Sequence, residues 1–128
     1  MEKVMGFGGV FFKAKDPEML RNWYAENLGV PLEPWGGAVF PWFENNPTGD
    51  AYSVWMAFEE NSDYFEPSTR PFMVNFRVAD LDAMLAQLVR NGCLVEERTE
   101  DSPQGRFGWV QDPEGNRVEL WEPPNPGE

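Results

Sequence analysis

Gly105-Arg106-Phe107-Gly108-Trp109-Val110-Gln111-Asp112-Pro113-Glu114-Gly115-Asn116-Arg117-Val118-Glu119-Leu120-Trp121-Glu122-Pro123 is the stretch on which the fold turns. Side chains alternate with period two over Phe107–Gln111 and again over Arg117–Trp121, the pattern of two half-buried strands. Between them Asp112–Asn116 supplies a proline with preset φ and a glycine free to take φ > 0, so the stretch predicts a hairpin. Pairing the arms about that turn sets Trp109 beside Glu119 and Phe107 beside Trp121 on one face, with Val110, Val118 and Leu120 on the other. One face is then aromatic with a carboxylate in it. Such a face is either the wet side of an antiparallel sheet or the floor of a site.

The rest of the composition narrows the choice. The chain has 128 residues, 41% of them hydrophobic, enough for one domain over residues 1–128 and too few for two. Its net charge of −12 argues against nucleic acid as a partner, because phosphates would be repelled. The same field attracts a cation, or serves solubility alone. No apolar run approaches the roughly 20 residues of a bilayer span, so no membrane partner is expected, and the N-terminal residues do not read as a signal peptide. Cys93 is the only cysteine, which excludes an internal disulfide and suits a cytoplasmic location. Histidine is absent. That removes the commonest general base, the commonest metal ligand and every Ser-His or Cys-His nucleophile.

Working upstream, the chain reads as one pattern written twice. In a first module, about 5–58, Val10–Lys15 predicts a strand, and Asp16-Pro17-Glu18 starts a helix with Asp as N-cap and Pro at its first position. That helix runs to Leu28 with a buried stripe of Leu20, Trp23, Tyr24 and Leu28, and Gly29 closes it in the left-handed conformation. Short strands are expected over Pro31–Pro34, Ala38–Glu44 and Ala51–Phe58, broken by Gly36-Gly37 and by Asn45–Asp50. A polar linker, 59–71, leads to a second module, about 72–123. There Met73–Val78 is a strand, Asp80 caps a helix with its stripe at Leu81, Met84, Leu85, Leu88 and Val89, and Gly92 closes it. A strand near Leu94–Arg98 and the hairpin follow. Sliding the chain by about 64 residues sets Phe12 on Phe76, Lys13 on Arg77, Asp16 on Asp80 and Phe43 on Phe107. The repeat predicts an α+β fold: two tandem β-α-β-β-β modules forming a curved mixed sheet around a cleft, with the helices outside.

The ending from Asp112-Pro113-Glu114-Gly115-Asn116 to Val118-Glu119-Leu120-Trp121-Glu122-Pro123 resembles the last hairpin of the vicinal oxygen chelate superfamily, which includes glyoxalase I, bleomycin-resistance proteins and extradiol dioxygenases. Phe72–Leu81 and Asp63-Tyr64-Phe65 are similar to segments of its short glyoxalase-like members. The resemblance implies the same paired-module fold over nearly the whole chain. It also implies metal positions on the first and last strand of each module, which fall here on Gly9, Trp55, Met73 and Glu119, with Val54 or Met56 in place of Trp55 if the alignment slips by one residue. Only Glu119 is a ligand for a hard divalent ion, since an indole or a thioether does not suit Mg²⁺, Mn²⁺, Ni²⁺ or Zn²⁺. No cofactor is therefore expected, and a metal-dependent lyase, isomerase or dioxygenase would need a rearranged site.

Two further readings remain. The cleft binds a planar or cationic aromatic compound as bleomycin-resistance proteins do, through Trp55, Met73, Phe107, Trp109, Glu119 and Trp121, with Trp35 and Trp42 on neighbouring segments. Alternatively, Glu119 is itself the catalytic residue, a metal-free general base whose pKa is raised by apolar surroundings. Arg106 and Arg117 are candidate anion contacts. The resemblance also implies a homodimer, since relatives of this length often complete each cleft with strands of both chains.

Overall fold

A computed structural model describes residues 1–41 and 52–124. The elements are β1 (Val4–Ala14), α1 (Pro17–Leu28), β2 (Ala38–Pro41), β3 (Tyr52–Glu59), β4 (Phe72–Val78), α2 (Leu81–Arg90), β5 (Leu94–Val95), β6 (Glu100–Ser102), β7 (Gly105–Gln111) and β8 (Arg117–Glu122). The strands form one mixed sheet in the order β2-β3-β1-β4-β8-β7-β5, with β6 paired to β7. Each half places its first strand parallel to its last, β1 beside β3 and β4 beside β8, and the halves join antiparallel through β1 and β4. One chain thus supplies both sides of the curved sheet.

The two helix starts behave as the repeat predicts. Asp16 Oδ1 accepts from the Met19 amide at 3.1 Å and Asp80 Oδ1 from the Ala83 amide at 3.0 Å, each satisfying a donor that has no partner in the first turn. Gly29 closes α1 at φ 70°. Above α2 the apolar side of the hairpin is packed as expected: Leu120 joins Val78, Leu81 and Met84, flanked by Val110 and Val118. On the concave side Phe11, Phe65, Met73 and Trp109 form a second buried cluster. None of the described helices is long and apolar enough to cross a membrane.

Several expectations are corrected. Trp23 and Leu28 are not buried but 51% and 64% exposed; Trp23 lies about 100° around the helix from Tyr24, which is the residue that reaches the sheet through Trp55. Val89 is likewise exposed at the end of α2. Pro31–Pro34 is not a strand and contributes only an isolated bridge between Leu32 and Ala38. The first strand starts at Val4, not Val10, because Gly6, Gly8 and Gly9 interrupt the apolar alternation while the backbone continues through two irregularities in its pairing with β4. The strand after α2 covers only Leu94–Val95, and β6 is a strand by its pairing to β7 although its three residues carry no apolar pattern. The expectations for Trp42, Phe43, the rest of Ala38–Glu44, the Asn45–Asp50 turn and Ala51 lie outside the described residues.

Candidate functional site

The concave face encloses a cavity of about 620 Å³, lined by residues of β1, β2, β3, β4, β7 and β8 and of the segment after β3. Its walls are rings and aliphatic side chains: Phe11 from β1, Tyr52, Val54, Met56 and Phe58 from β3, Phe107 and Trp121 from the hairpin, Tyr64 from the 60–71 segment. Phe107 and Trp121 lie nearly parallel, with centroids 6.3 Å apart and 10° between planes, and Tyr52 meets Trp121 edge-on at 5.0 Å. Trp121 is held by its indole N–H, which donates to the Gln104 carbonyl at 2.8 Å.

Glu119 is the polar group on the floor. The hairpin sets it opposite Trp109 and the β4–β8 pairing sets it beside Asn75. It is 1% exposed and accepts three hydrogen bonds: from the Tyr64 hydroxyl at 2.6 Å and Trp109 Nε1 at 2.9 Å on Oε2, and from Asn75 Nδ2 at 2.6 Å on Oε1. Burial pushes its carboxyl above the ordinary 4.5, opposed by those three donors and by the Arg117 charge. Tyr64 is pushed up as well, by burial first and then by the charge and hydrogen bond of Glu119, so its hydroxyl stays a donor.

Support for these three hydrogen bonds comes from below. Arg117, 5% exposed, pairs with Glu96 at 2.8 Å, donates to the Tyr64 carbonyl and stacks its guanidinium 4.4 Å from the Trp109 ring centroid. It is therefore committed to structure, as is Arg106, which pairs with Asp82 at 2.9 Å and Asp101 at 3.1 Å. Phe65, fully buried beside Met73 and Trp109, anchors the segment that brings Tyr64 over the cleft. On the opposite side, a Cβ at Gly8 would come within 1.8 Å of Asn75 Oδ1 and 3.1 Å of Trp121. Gly8 thus leaves the space that the Asn75 amide occupies. Asn75 Oδ1 itself is buried with no hydrogen-bond partner among the described residues.

The residues expected from sequence divide into three groups. Phe107, Glu119 and Trp121 line the cavity. Trp109 and Met73 lie beneath it at 0% exposure, where Trp109 acts on the site only through its N–H to Glu119. Trp55 is turned away: it packs on Tyr24 of α1 and Phe12 at centroid distances of 4.9 and 5.4 Å. A one-residue slip along a strand exchanges its faces, and the β3 neighbours of Trp55, Val54 and Met56, are among the residues that line the cleft. On β4 the residue beside Glu119 is Asn75, which pairs with Gly9 of β1 on its other side, whereas Met73, two residues earlier on the same face, pairs with Phe11. Sequence reading missed Asn75 and Tyr64. Asn75 was detectable as the lone amide in an apolar strand; Tyr64 belongs to a segment whose position only packing decides.

Two modules in one curved sheet, with a ring-lined concavity between them, define the class of paired-module cleft proteins. The family model of the glyoxalase-like domain matches residues 9–121, and this chain belongs to that family. Solved structures of the glyoxalase/bleomycin resistance/dioxygenase superfamily share the fold. Methylmalonyl-CoA epimerase from Mycobacterium tuberculosis is 23% identical at TM-score 0.64, over 95% of this chain and 90% of that one. A variant of Streptomyces coelicolor methylmalonyl-CoA epimerase in complex with 2-nitronate-propionyl-CoA is 15% identical at TM-score 0.70, over 96% of this chain and all of that one. The Mn(II)-bound glyoxalase from Novosphingobium aromaticivorans is 18% identical at TM-score 0.62, over 95% of this chain and 40% of that one. No functionally curated protein matches.

The Mn(II) of that relative sets a test for the donor set here. Around Glu119 the central strands offer the Asn75 amide, which turns its N–H toward the carboxylate, the glycines of β1, and apolar Val54 and Met56. Among the described residues no three His, Cys, Asp or Glu side chains converge. Glu59, Glu60 and Asp63 are exposed. A carboxylate already accepting from three donors, with no second anionic ligand, does not fit a hard divalent ion.

Proposed function

We propose that the cleft binds a small planar compound and returns it unchanged. The observation that carries this reading is the cavity itself: parallel and edge-on rings for stacking, with a carboxyl on the floor whose hydrogen-bonding capacity is taken up internally. A preference for cations would come from the −12 field of the whole chain rather than from Glu119, whose charge is disfavoured by burial. The test is titration of tryptophan fluorescence with acridine and 9-aminoacridine, neutral and cationic at pH 7. Saturable quenching by either, weakened in Phe107→Ala and with the compound recovered intact, is expected; no saturable response to either overturns the reading.

A second reading is favoured by one observation, the upward shift of the Glu119 carboxyl. In it Glu119 exchanges a proton with a bound substrate after Tyr64 turns aside, without metal. Turnover that follows the ionisation of a single carboxyl and is lost in Glu119→Gln would replace the binding function with this one.

A further inference from the structure

Resting on the reading of the cleft as a site for planar compounds, we infer that the Tyr52 hydroxyl selects among them: the ligand carries a hydrogen-bond acceptor, such as a ring carbonyl, on an uncharged or cationic frame. It seats that acceptor where Tyr52 meets Trp121. Strands β3 and β8 are separated in the sheet by β1 and β4, yet the two rings meet edge-on at 5.0 Å. The curve of the sheet and the bare backbone of Gly8 on β1 allow this, since a Cβ there would stand 3.1 Å from the Trp121 ring. Tyr52 and Trp121 thus close one end of the cavity, and both line it.

The polar side chains of the cavity wall differ in what they have left to offer. Glu119, Asn75 and Tyr64 are bonded to one another. Gln104 and Trp35 are exposed to water. Tyr52 is in neither state: it is half-buried, and among the described residues its hydroxyl has no hydrogen-bond partner. A ligand that fills the cleft displaces the water this hydroxyl uses, and a buried O–H left without an acceptor is the costlier omission, since a spare lone pair is better tolerated. Burial holds the Tyr52 pKa above the ordinary 10.0, so the hydroxyl keeps the proton it donates. The acceptor is not an anionic oxygen. A carboxylate or phosphate would meet the −12 charge of the chain, and the hairpin cations Arg106 and Arg117 are paired with Asp82, Asp101 and Glu96.

Fluorenone and fluorene are the probes, planar and uncharged and differing in one carbonyl, with affinities measured by equilibrium dialysis on the whole chain. Tyr52→Phe keeps the ring against Trp121 and removes only the hydroxyl. It is expected to lower the ratio of fluorenone to fluorene affinity about tenfold, the loss of one net hydrogen bond. In the parent, the infrared carbonyl band of bound fluorenone is expected below its position in hydrocarbon solvent, a readout independent of how the variant folds. An equal ratio in parent and Tyr52→Phe, or an unshifted band in the parent, overturns the inference. Saturation by acridine with none by fluorenone also overturns it while leaving the binding reading standing; no saturation by acridine, 9-aminoacridine, fluorenone or fluorene overturns both.

Discussion

Glu119 has a folded-state pKa raised above its unfolded value by burial, so the folded chain holds a proton over a pH range in which the unfolded chain has released it. Its contribution to stability is therefore fully present below the ordinary 4.5 and declines as pH rises through the folded-state value. Urea unfolding of the parent is expected to show that decline as pH rises above 4.5. Glu119→Gln should flatten it, removing a slope of at most about 1.4 kcal/mol per pH step of one, the value for a single proton. Equal pH slopes in the two proteins would show that the three donors hold the carboxyl near its usual range. The neighbours of Glu119 differ in how far sequence reveals them. Trp109 follows from hairpin pairing alone, since residues flanking a short turn can meet only in a few registers. Asn75 and Tyr64 reach Glu119 across 44 and 55 residues of chain, and no local period carries that information.

At the level of elements, the hairpin and α2 are legible because each hides one face completely and so writes a clean period. Helix α1 is harder: its apolar residues outnumber what the sheet covers, so Trp23 counts toward the stripe yet stays outside. In β3 and β4 the period gives two faces but not which residue stands beside Glu119, so it does not reveal that Trp55 turns to Tyr24 of α1 or that Asn75 is the β4 residue paired with Glu119. The element most dependent on tertiary contact is the 60–71 segment, held by Phe65 below and by the Arg117–Tyr64 carbonyl bond at its side. Arg117→Met is expected to cost about 3 kcal/mol, because it strands a partly buried Glu96 and frees the segment. Glu96→Gln should cost less, since the Gln carbonyl can still accept from Arg117, which also keeps its bond to the Tyr64 carbonyl and its stack on Trp109. Urea midpoints of the two variants check the order. The reverse order would mean that the Tyr64 carbonyl and Trp109 stack matter little.

For the molecule as a whole, the donor set around Glu119 leads to an expectation about metals. After dialysis against Mn²⁺, Ni²⁺ and Zn²⁺ in turn, elemental analysis of the untagged chain is expected to find far less than one equivalent of each. Near one equivalent that disappears in Glu119→Gln would show a site assembled in some other way. What the sequence determined by itself is the class of architecture and its charge: the duplicated strand-helix start, the closing hairpin with its aromatic and carboxylate face, the lack of histidine and the acidic field are all local or compositional. What only the tertiary structure decided is which side chains from distant strands stand next to Glu119, and which apolar residues remain outside. Local steric rules fix alternation and turns over a few residues. The register between strands that never touch in sequence is fixed by packing, where one residue of slip exchanges a wall of the cleft for a contact with a helix.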